Sequence, residues 1–255
     1  MSIQKGGKNR IGYRYRCPRP CRKEISLLKG TFFENCSLEI PKVLDFMYNW
    51  AYETCSYKKM FREIGICTNS FVAWRGYLRD ICSDKVFQLD DKIGGIGRIV
   101  QIDESLFSKR KYNRGQIYPA QWVFGGIDSE NNDCFMVKIP DRSKTTLQRI
   151  IRSRIRDGTT IISDCWASYQ GLELLGYEHK TVNHTYNFVD PTDLVHTQKV
   201  ESLWFTSKRR NKIECGTRRT FLSSYLTEFI WRKRIAGEDP FITLLENIAE
   251  IYLFE

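Results

Sequence analysis

The stretch RIVQIDESLF, residues 98–107, is where the hydrophobic pattern of the chain changes from helical spacing to that of strands. Two more strand-like runs follow, QWVFGGID at 121–128 and CFMVKI at 134–139, with the turn sequence SENND between them. Three such runs with a short turn among them predict an antiparallel meander.

Beyond the meander, helical and strand-like patterns alternate. A helix capped by Ser143 carries Leu147, Ile150, Ile151 and Ile155 on one face. The later segments are, in order, the strand GTTIISD (158–164), the helix CWASYQGLELLG (165–176), the strand HKTVNH (179–184) and the helix HTQKVESLWFTSKRRN (196–211). This order predicts an α/β fold, a ribonuclease-H-like mixed five-stranded sheet flanked by helices.

The preceding region, residues 41–82, has helical spacing throughout. Ser56 and Gly65 bracket one short helix, and a cap at Thr68, Asn69 or Ser70 begins a second. This is the helix-turn-helix pattern, which any helical hairpin shares. Basic residues expected at the surface favour a DNA reader. They are Lys58, Lys59, Arg62, Arg75 and Arg79.

The composition indicates a polyanionic partner. The 255 residues are 42% hydrophobic and carry a net charge of +10, which suits two modules and a nucleic-acid ligand. Because no apolar run approaches the length of a membrane span and the N-terminus has no signal core, we expect a soluble intracellular protein that does not bind membranes. Nine cysteines without regular spacing indicate mainly reduced thiols, although Cys17 and Cys21 in CPRPC could form half of a zinc site.

Three acidic residues are expected to meet. Asp103 lies in the first predicted strand and Asp164 ends the fourth, so their carboxylates converge if these strands are neighbours. Glu201 lies beside the apolar stripe of the following helix. Three carboxylates suit two Mg²⁺ or Mn²⁺ ions, which would activate a water or a 3′-hydroxyl for in-line attack on phosphorus. The alternatives are that Asp164 caps the next helix and that Glu201 is a solvated partner of a Lys or Arg.

The segments IVQIDESLFSKRKYNRG, TIISDCWASYQGLELLGYEHKTVNHTYNFVDP, HTQKVESLWFTSKRR and YLTEFIWR together resemble the DDE transposases of Merlin-type elements and their bacterial insertion-sequence relatives. The resemblance implies that Asp103, Asp164 and Glu201 are the catalytic, metal-binding triad and that Lys208 is the lysine following it. It also implies DNA contacts by His196. The N-terminal part resembles the zinc-ribbon and helix-turn-helix portion of the family, but the family's additional cysteine pair is missing before Cys17.

The patterns and the resemblance divide the chain into five segments. They are a vestigial zinc-ribbon-like segment at 1–40, a helix-turn-helix domain at 41–83, a linker at 84–98, the ribonuclease-H-like DDE domain at 99–236 and a C-terminal helix at 237–255. Basic residues near the strand ends are predicted to line a DNA path. They are Arg110, Lys111, Arg114 and Arg142. Trp122, Trp166, Trp204 and Trp231 are predicted to be core residues.

The predicted function is transposition: binding of terminal inverted repeats, cleavage that frees 3′-hydroxyls, and strand transfer into target DNA by a homo-oligomer. Such a protein would be nuclear in a eukaryote and otherwise cytoplasmic or nucleoid-associated. Three alternatives are a catalytically inactive DNA-binding protein derived from a transposase, a structure-specific nuclease of the same fold, and a zinc-dependent regulatory module.

Overall fold

The computed structural model describes residues 2–5, 13–88, 92–107, 120–182, 197–213 and 219–252. The chain divides into two compact units, one made of residues 1–81 and 235–255 and the other of residues 82–234. The elements are β1 (Ser2–Lys5), β2 (Tyr13–Arg16), β3 (Glu24–Ser26), α1 (Ile40–Ala51), α2 (Tyr57–Ile64), α3 (Thr68–Gln88), β4 (Ile99–Leu106), β5 (Trp122–Asp128), β6 (Cys134–Ile139), α4 (Lys144–Arg154), β7 (Thr160–Asp164), β8 (Glu178–Val182), α5 (Gln198–Ile213), α6 (Leu222–Arg234) and α7 (Pro240–Ile251).

The first unit combines a small antiparallel sheet, in the order β1-β2-β3, with helices. Ser56 accepts a hydrogen bond from the Lys59 backbone N–H and so caps α2, which ends at Gly65 in the left-handed conformation. These caps agree with the predicted boundaries of the short helix. Helix α3 begins directly after Cys67, whose carbonyl accepts the N–H of Phe71 at 2.9 Å.

Helix α3 continues to Gln88, so the first residues of the predicted linker are helical. The reason is that its apolar stripe does not stop at residue 82: Cys82 and Val86 are both buried. None of the described helices is long and apolar enough to cross a bilayer.

The second unit contains a five-stranded sheet in the order β6-β5-β4-β7-β8. Strands β4, β5 and β6 form an antiparallel meander, and β4, β7 and β8 run parallel. This topology confirms the predicted ribonuclease-H-like mixed sheet flanked by helices. Strands β4 and β7 are parallel neighbours, so their C-terminal ends lie at the same edge of the sheet.

The helix predicted at 165–176 is wrong. Two short 3₁₀ helices, Ala167–Tyr169 and Glu173–Leu175, replace it. Gln170 is extended and Gly171 adopts a positive φ angle, so the chain cannot continue as one helix, and Gly176 ends the second short helix. The two buried residues of the segment, Tyr169 and Leu172, lie on either side of this break.

The two faces of β4 have different neighbours. Val100 and Ile102 point into the main hydrophobic core, where Leu147 and Ile151 of helix α4 are fully buried. Side chains alternate along a strand, so Gln101, Asp103 and Ser105 share the opposite face. Helix α5 contacts that face through hydrogen bonds to all three residues.

An ion pair at the far end of β4 and β5 gives a pH-dependent prediction. Asp128 is buried and accepts a 3.0 Å hydrogen bond from Arg98 Nε. Burial opposes its charge, but the hydrogen bond and charge of Arg98 hold the pKa of Asp128 below its ordinary value. Its contribution to stability is therefore present at neutral pH and lost as the pH falls below about 4.

We expect Arg98→Met to lower the free energy of unfolding by about 2–3 kcal/mol at pH 7, because it leaves a buried carboxylate without its partner. The loss should shrink at pH 3, because the buried carboxylate that has lost Arg98 takes up a proton more readily and is then uncharged. Urea denaturation at both pH values measures this, with the exposed Arg156→Met as the control. An equal loss at both pH values would contradict the assignment.

Candidate active site

Strand register places Asp103 and Asp164 next to each other. The parallel pairing of β4 with β7 matches Gln101 with Ile162, and each aspartate lies two residues further along its strand. Two residues is one side-chain period, so both carboxylates belong to the face that α5 covers. Asp164 also accepts the Trp166 backbone N–H at 3.0 Å, so it closes a turn after β7 rather than capping an α-helix.

Gln101 fastens the start of α5 to the sheet. Its buried side-chain oxygen accepts the backbone N–H groups of Lys199 at 2.9 Å and Val200 at 3.2 Å. These N–H groups would otherwise lack partners in the first turn of the helix. As a consequence Glu201, in that same turn, lies on the Asp103 side of the sheet. Sequence reasoning missed Gln101, although a polar residue in the apolar run IVQI was a signal.

Trp204 orients Asp103. Its indole Nε1 donates a 2.9 Å hydrogen bond to Asp103 Oδ2. Gly125 pairs with Asp103 across β4 and β5, and a Cβ atom there would lie 2.7 Å from the Trp204 ring. The tryptophan is buried, as predicted, but its role as a hydrogen-bond donor to the aspartate was not foreseen.

Electrostatics link the three predicted acids. The pKa of Asp103 is raised to about 6, mainly because of burial, and the charges of Asp164 and Glu201 raise it further. Glu201 itself is exposed, with its Oε1 3.4 Å from the Thr197 hydroxyl. Within the described residues, no three His, Cys, Asp or Glu side chains converge closely enough to hold a metal ion. Asp103 and Asp164 are thus neighbours on the sheet, while Glu201, exposed at the rim, does not complete a metal-binding group with them.

The donor set fits a hard divalent cation. The carboxylates of Asp103 and Asp164 lie on one face of adjacent strands. A bound cation would relieve the repulsion that the neighbouring negative charges exert on the partly buried Asp103 carboxylate. Glu201 would complete the coordination from the rim.

Glu104 is a half-buried acid that sequence reasoning missed. It follows Asp103 and points to the opposite face, where burial raises its pKa to about 7. The charges of Asp103 and Asp164 raise this pKa further, whereas that of Arg142 lowers it. Arg142 therefore lies within electrostatic range of the acidic cluster.

The predicted DNA-binding residues of this unit fall into two groups. Lys208 lies on the Asp103 face and donates to the Ser105 hydroxyl at 2.5 Å. Arg142 lies over the rings of Trp122 and Trp166. The expectation that Trp166 is a core residue is wrong, because the turn after β7 leaves its indole exposed. His196, Arg110, Lys111 and Arg114 lie outside the described residues.

In the first unit, Lys58 is exposed and Lys59 donates to the side-chain oxygen of Asn49. Arg75 lies over the Phe71 ring. The expected exposure of Arg79 is wrong: it is buried, because it shares a face of α3 with the buried Cys82 and Val86.

The two cysteines of CPRPC are neighbours in the structure. The pKa of the Cys17 thiol is raised, mainly by a hydrogen bond with Cys21. Burial and the charge of Cys21 raise it further. Both thiols are free. Neither belongs to a set of metal-ligating side chains within the described residues.

The mixed five-stranded sheet carries one of the predicted acids within β4 and another at the end of β7. The family model described as the ISXO2-like transposase domain matches residues 94–234, more than half of the chain. The chain belongs to this insertion-sequence transposase family.

Individual relatives are more distant. The chain is 24% identical over 116 residues to an uncharacterized transposase-like protein of Haemophilus influenzae, covering 46% of this chain and 93% of that protein. Among solved structures, it is similar to the HTLV-2 integrase catalytic core domain in complex with magnesium, with 9% identity, a TM-score of 0.34, and coverage of 54% of this chain and 84% of that one. It is also similar to the BIV integrase catalytic core domain, with 16% identity, a TM-score of 0.36, and coverage of 60% of this chain and 97% of that one.

Gly125 offers a test of the contact between Trp204 and Asp103. We expect Gly125→Ala to destabilise the protein by about 1–3 kcal/mol, because the added methyl group displaces the indole that donates to Asp103. Thermal unfolding and intrinsic tryptophan fluorescence measure the effect. Gly76→Ala is the matched control, since a Cβ there meets only the end of the Arg79 side chain at 4.0 Å within α3, and alanine favours a helix. Equal unfolding temperatures for the Gly125→Ala variant and the unmodified protein would contradict the packing argument.

Proposed function

We propose that the chain is a divalent-metal-dependent DNA transposase that binds the terminal inverted repeats of its element, cleaves DNA at their ends and joins the freed 3′-hydroxyls to target DNA. We propose further that it is a Merlin-type transposase, because its sequence segments resemble those of that group. The observation that carries the proposal is the position of Asp103 and Asp164 on one face of adjacent strands, where partial burial and the nearby charges of Asp164 and Glu201 raise the pKa of Asp103 to about 6. Perturbed carboxylates of this kind cluster at functional sites.

In this proposal Asp103 and Asp164 hold two Mg²⁺ or Mn²⁺ ions, and the exposed Glu201 side chain turns inward to complete the second site. When bound, the ions supply activation of the attacking hydroxyl and stabilisation of the leaving oxygen. Trp204 keeps the Asp103 carboxylate in one orientation, and Gln101 holds the helix that carries Glu201. Lys208, on the same face, contacts the DNA backbone.

Recognition and chemistry are divided between the two units. Lys58, Lys59 and Arg75 on helices α2 and α3 contact the inverted repeat as a helix-turn-helix, and the sheet of the second unit carries the chemistry. CPRPC is a remnant of a zinc ribbon. Two copies of the chain hold two element ends, in the nucleus of a eukaryote or at the nucleoid of a bacterium.

The test is a cleavage and joining assay on DNA carrying the element's ends, with Mg²⁺ or Mn²⁺, and with Asp164→Asn beside the unmodified protein. The proposal predicts cleaved ends and joined products that depend on the metal and on Asp164. Cleavage without joining would identify a structure-specific nuclease of this fold. Binding without either product would identify an inactive DNA-binding descendant of a transposase.

A further inference from the structure

An aromatic and basic stack lies at the edge of the sheet where β4 and β7 end. The guanidinium carbon of Arg142 is 4.2 Å from the ring centroid of Trp122 and 4.5 Å from that of Trp166. Trp122 begins β5 and pairs with Leu106 at the end of β4. Trp166 follows Asp164 by two residues. The Arg142 stack, formed by Trp122, Arg142 and Trp166, therefore lies at the sheet edge beside Asp164, with Trp122 on the face of the sheet opposite to Asp103.

The stack is fixed relative to Asp164 by hydrogen bonds. The Trp166 backbone N–H donates to Asp164 Oδ1 at 3.0 Å, and its carbonyl accepts the N–H of Tyr169 at 3.1 Å. The hydroxyl of Ser168 donates to the Arg142 carbonyl at 2.9 Å. Because these contacts order the segment before any ligand arrives, a ligand that stacks on Trp166 bears little ordering cost.

Trp166 differs from the buried tryptophans of the same unit. Its relative exposure is 41%, compared with 5% for Trp204 and 3% for Trp231. The guanidinium of Arg142 contacts the ring, so the indole is held in place while a large part of its apolar surface faces solvent. An exposed, immobilised indole beside a cation suits a flat ring attached to a phosphate.

We infer that Trp166 stacks on an unpaired nucleobase of the DNA end that is being cleaved or joined, and that Arg142 neutralises the phosphate of the same nucleotide. The inference rests on the proposed function, because it takes the DNA end to be held at Asp103 and Asp164. An internal base of a duplex has both faces covered by its neighbours, so within the strand a base must be unstacked before it can present a face to the indole. Stacking of this kind tolerates any base sequence.

The substrate is thereby specified as DNA whose strands are separated next to the scissile phosphate. A duplex with a short unpaired tail should bind more tightly than a blunt duplex of the same sequence. The preference should depend on the aromatic ring at position 166 rather than on the overall positive charge of the protein.

The experiment uses the full chain, with Ca²⁺ in place of Mg²⁺ so that binding is measured without cleavage. The probes are a blunt duplex of about 20 base pairs and the same duplex with about four unpaired nucleotides at its 3′ or 5′ end, one of them 2-aminopurine. Fluorescence anisotropy gives the affinity, and quenching of 2-aminopurine reports stacking on an indole. We expect Trp166→Ala to weaken binding of one tailed duplex roughly 5- to 100-fold, to abolish the quenching and to leave the blunt duplex unaffected.

Trp166→Phe keeps an aromatic ring and should retain most of the preference for the tailed duplex. That result would show that the loss in Trp166→Ala comes from the missing ring and not from a folding defect. Phe221→Ala is the matched control, since Phe221 is exposed to a similar extent in the same unit. If Trp166→Ala weakened both duplexes equally, or weakened neither, the inference would be overturned while the proposed function stood. If the unmodified protein bound neither duplex, both would be overturned.

Discussion

Asp103→Asn and Asp164→Asn are each expected to reduce DNA cleavage and joining by more than about 10³-fold, and Glu201→Gln to do so by a similar factor. The physical reason is that an amide keeps the shape of the side chain and removes the charge that holds a divalent cation. Duplex binding should change little, because phosphate contacts come from other side chains. Cleavage assays and anisotropy on the same preparations measure the two effects separately.

Glu178→Gln provides the control for these substitutions, since Glu178 is an exposed acid on β8 of the same sheet. It should leave cleavage unchanged. A Glu201→Gln variant with full activity would remove Glu201 from the site and leave a two-carboxylate centre. Full activity in all three variants would show that the chemistry takes place elsewhere.

The second large effect concerns stability in the absence of metal. Burial and the neighbouring carboxylates raise the pKa of Asp103 from 3.8 to about 6, so its charged form is disfavoured in the folded state. The folded protein then binds more protons than the unfolded chain between about pH 4 and 6, and its stability falls as the pH rises through that range. We expect Asp103→Asn to raise the free energy of unfolding at pH 7 by about 2 kcal/mol.

This gain should disappear near pH 4, where the aspartate is protonated in both states. Urea denaturation in EDTA at pH 4 and pH 7 tests the prediction, with Glu178→Gln as the control. A variant less stable than the unmodified protein at pH 7 would show that the hydrogen bond from Trp204 outweighs the burial of charge.

The fold was predictable where the sequence pattern is local. The spacing of RIVQIDESLF and of the two runs after it identified the meander, and Ser143 and Ser56 cap helices as expected. The failure at 165–176 has a physical cause, because Gly171, with a positive φ angle, interrupts a segment that has helical apolar spacing. Pattern reasoning counts side chains and does not see such backbone conformations.

The adjacency of Asp103 and Asp164 was predictable from the sequence, but the contacts around them were not. An acid within an apolar strand and another at a strand end pointed to two carboxylates that neighbouring strands bring together. By contrast, the hydrogen bonds from Trp204 to Asp103 and from α5 to Gln101 join residues about 100 positions apart in the chain. Arg79 was misplaced for a related reason, since helical periodicity alone does not show which side of α3 the rest of its unit covers.

Mn²⁺ binding to the full chain, followed by electron paramagnetic resonance, tests the central claim most directly: that Asp103, Asp164 and Glu201 share divalent cations. With a cleaved DNA end present, the account predicts saturable binding of about two Mn²⁺ ions per chain. Asp103→Asn and Asp164→Asn should abolish this binding, and Glu178→Gln should leave it intact. Equal Mn²⁺ binding by the unmodified protein and by both aspartate variants would contradict the account.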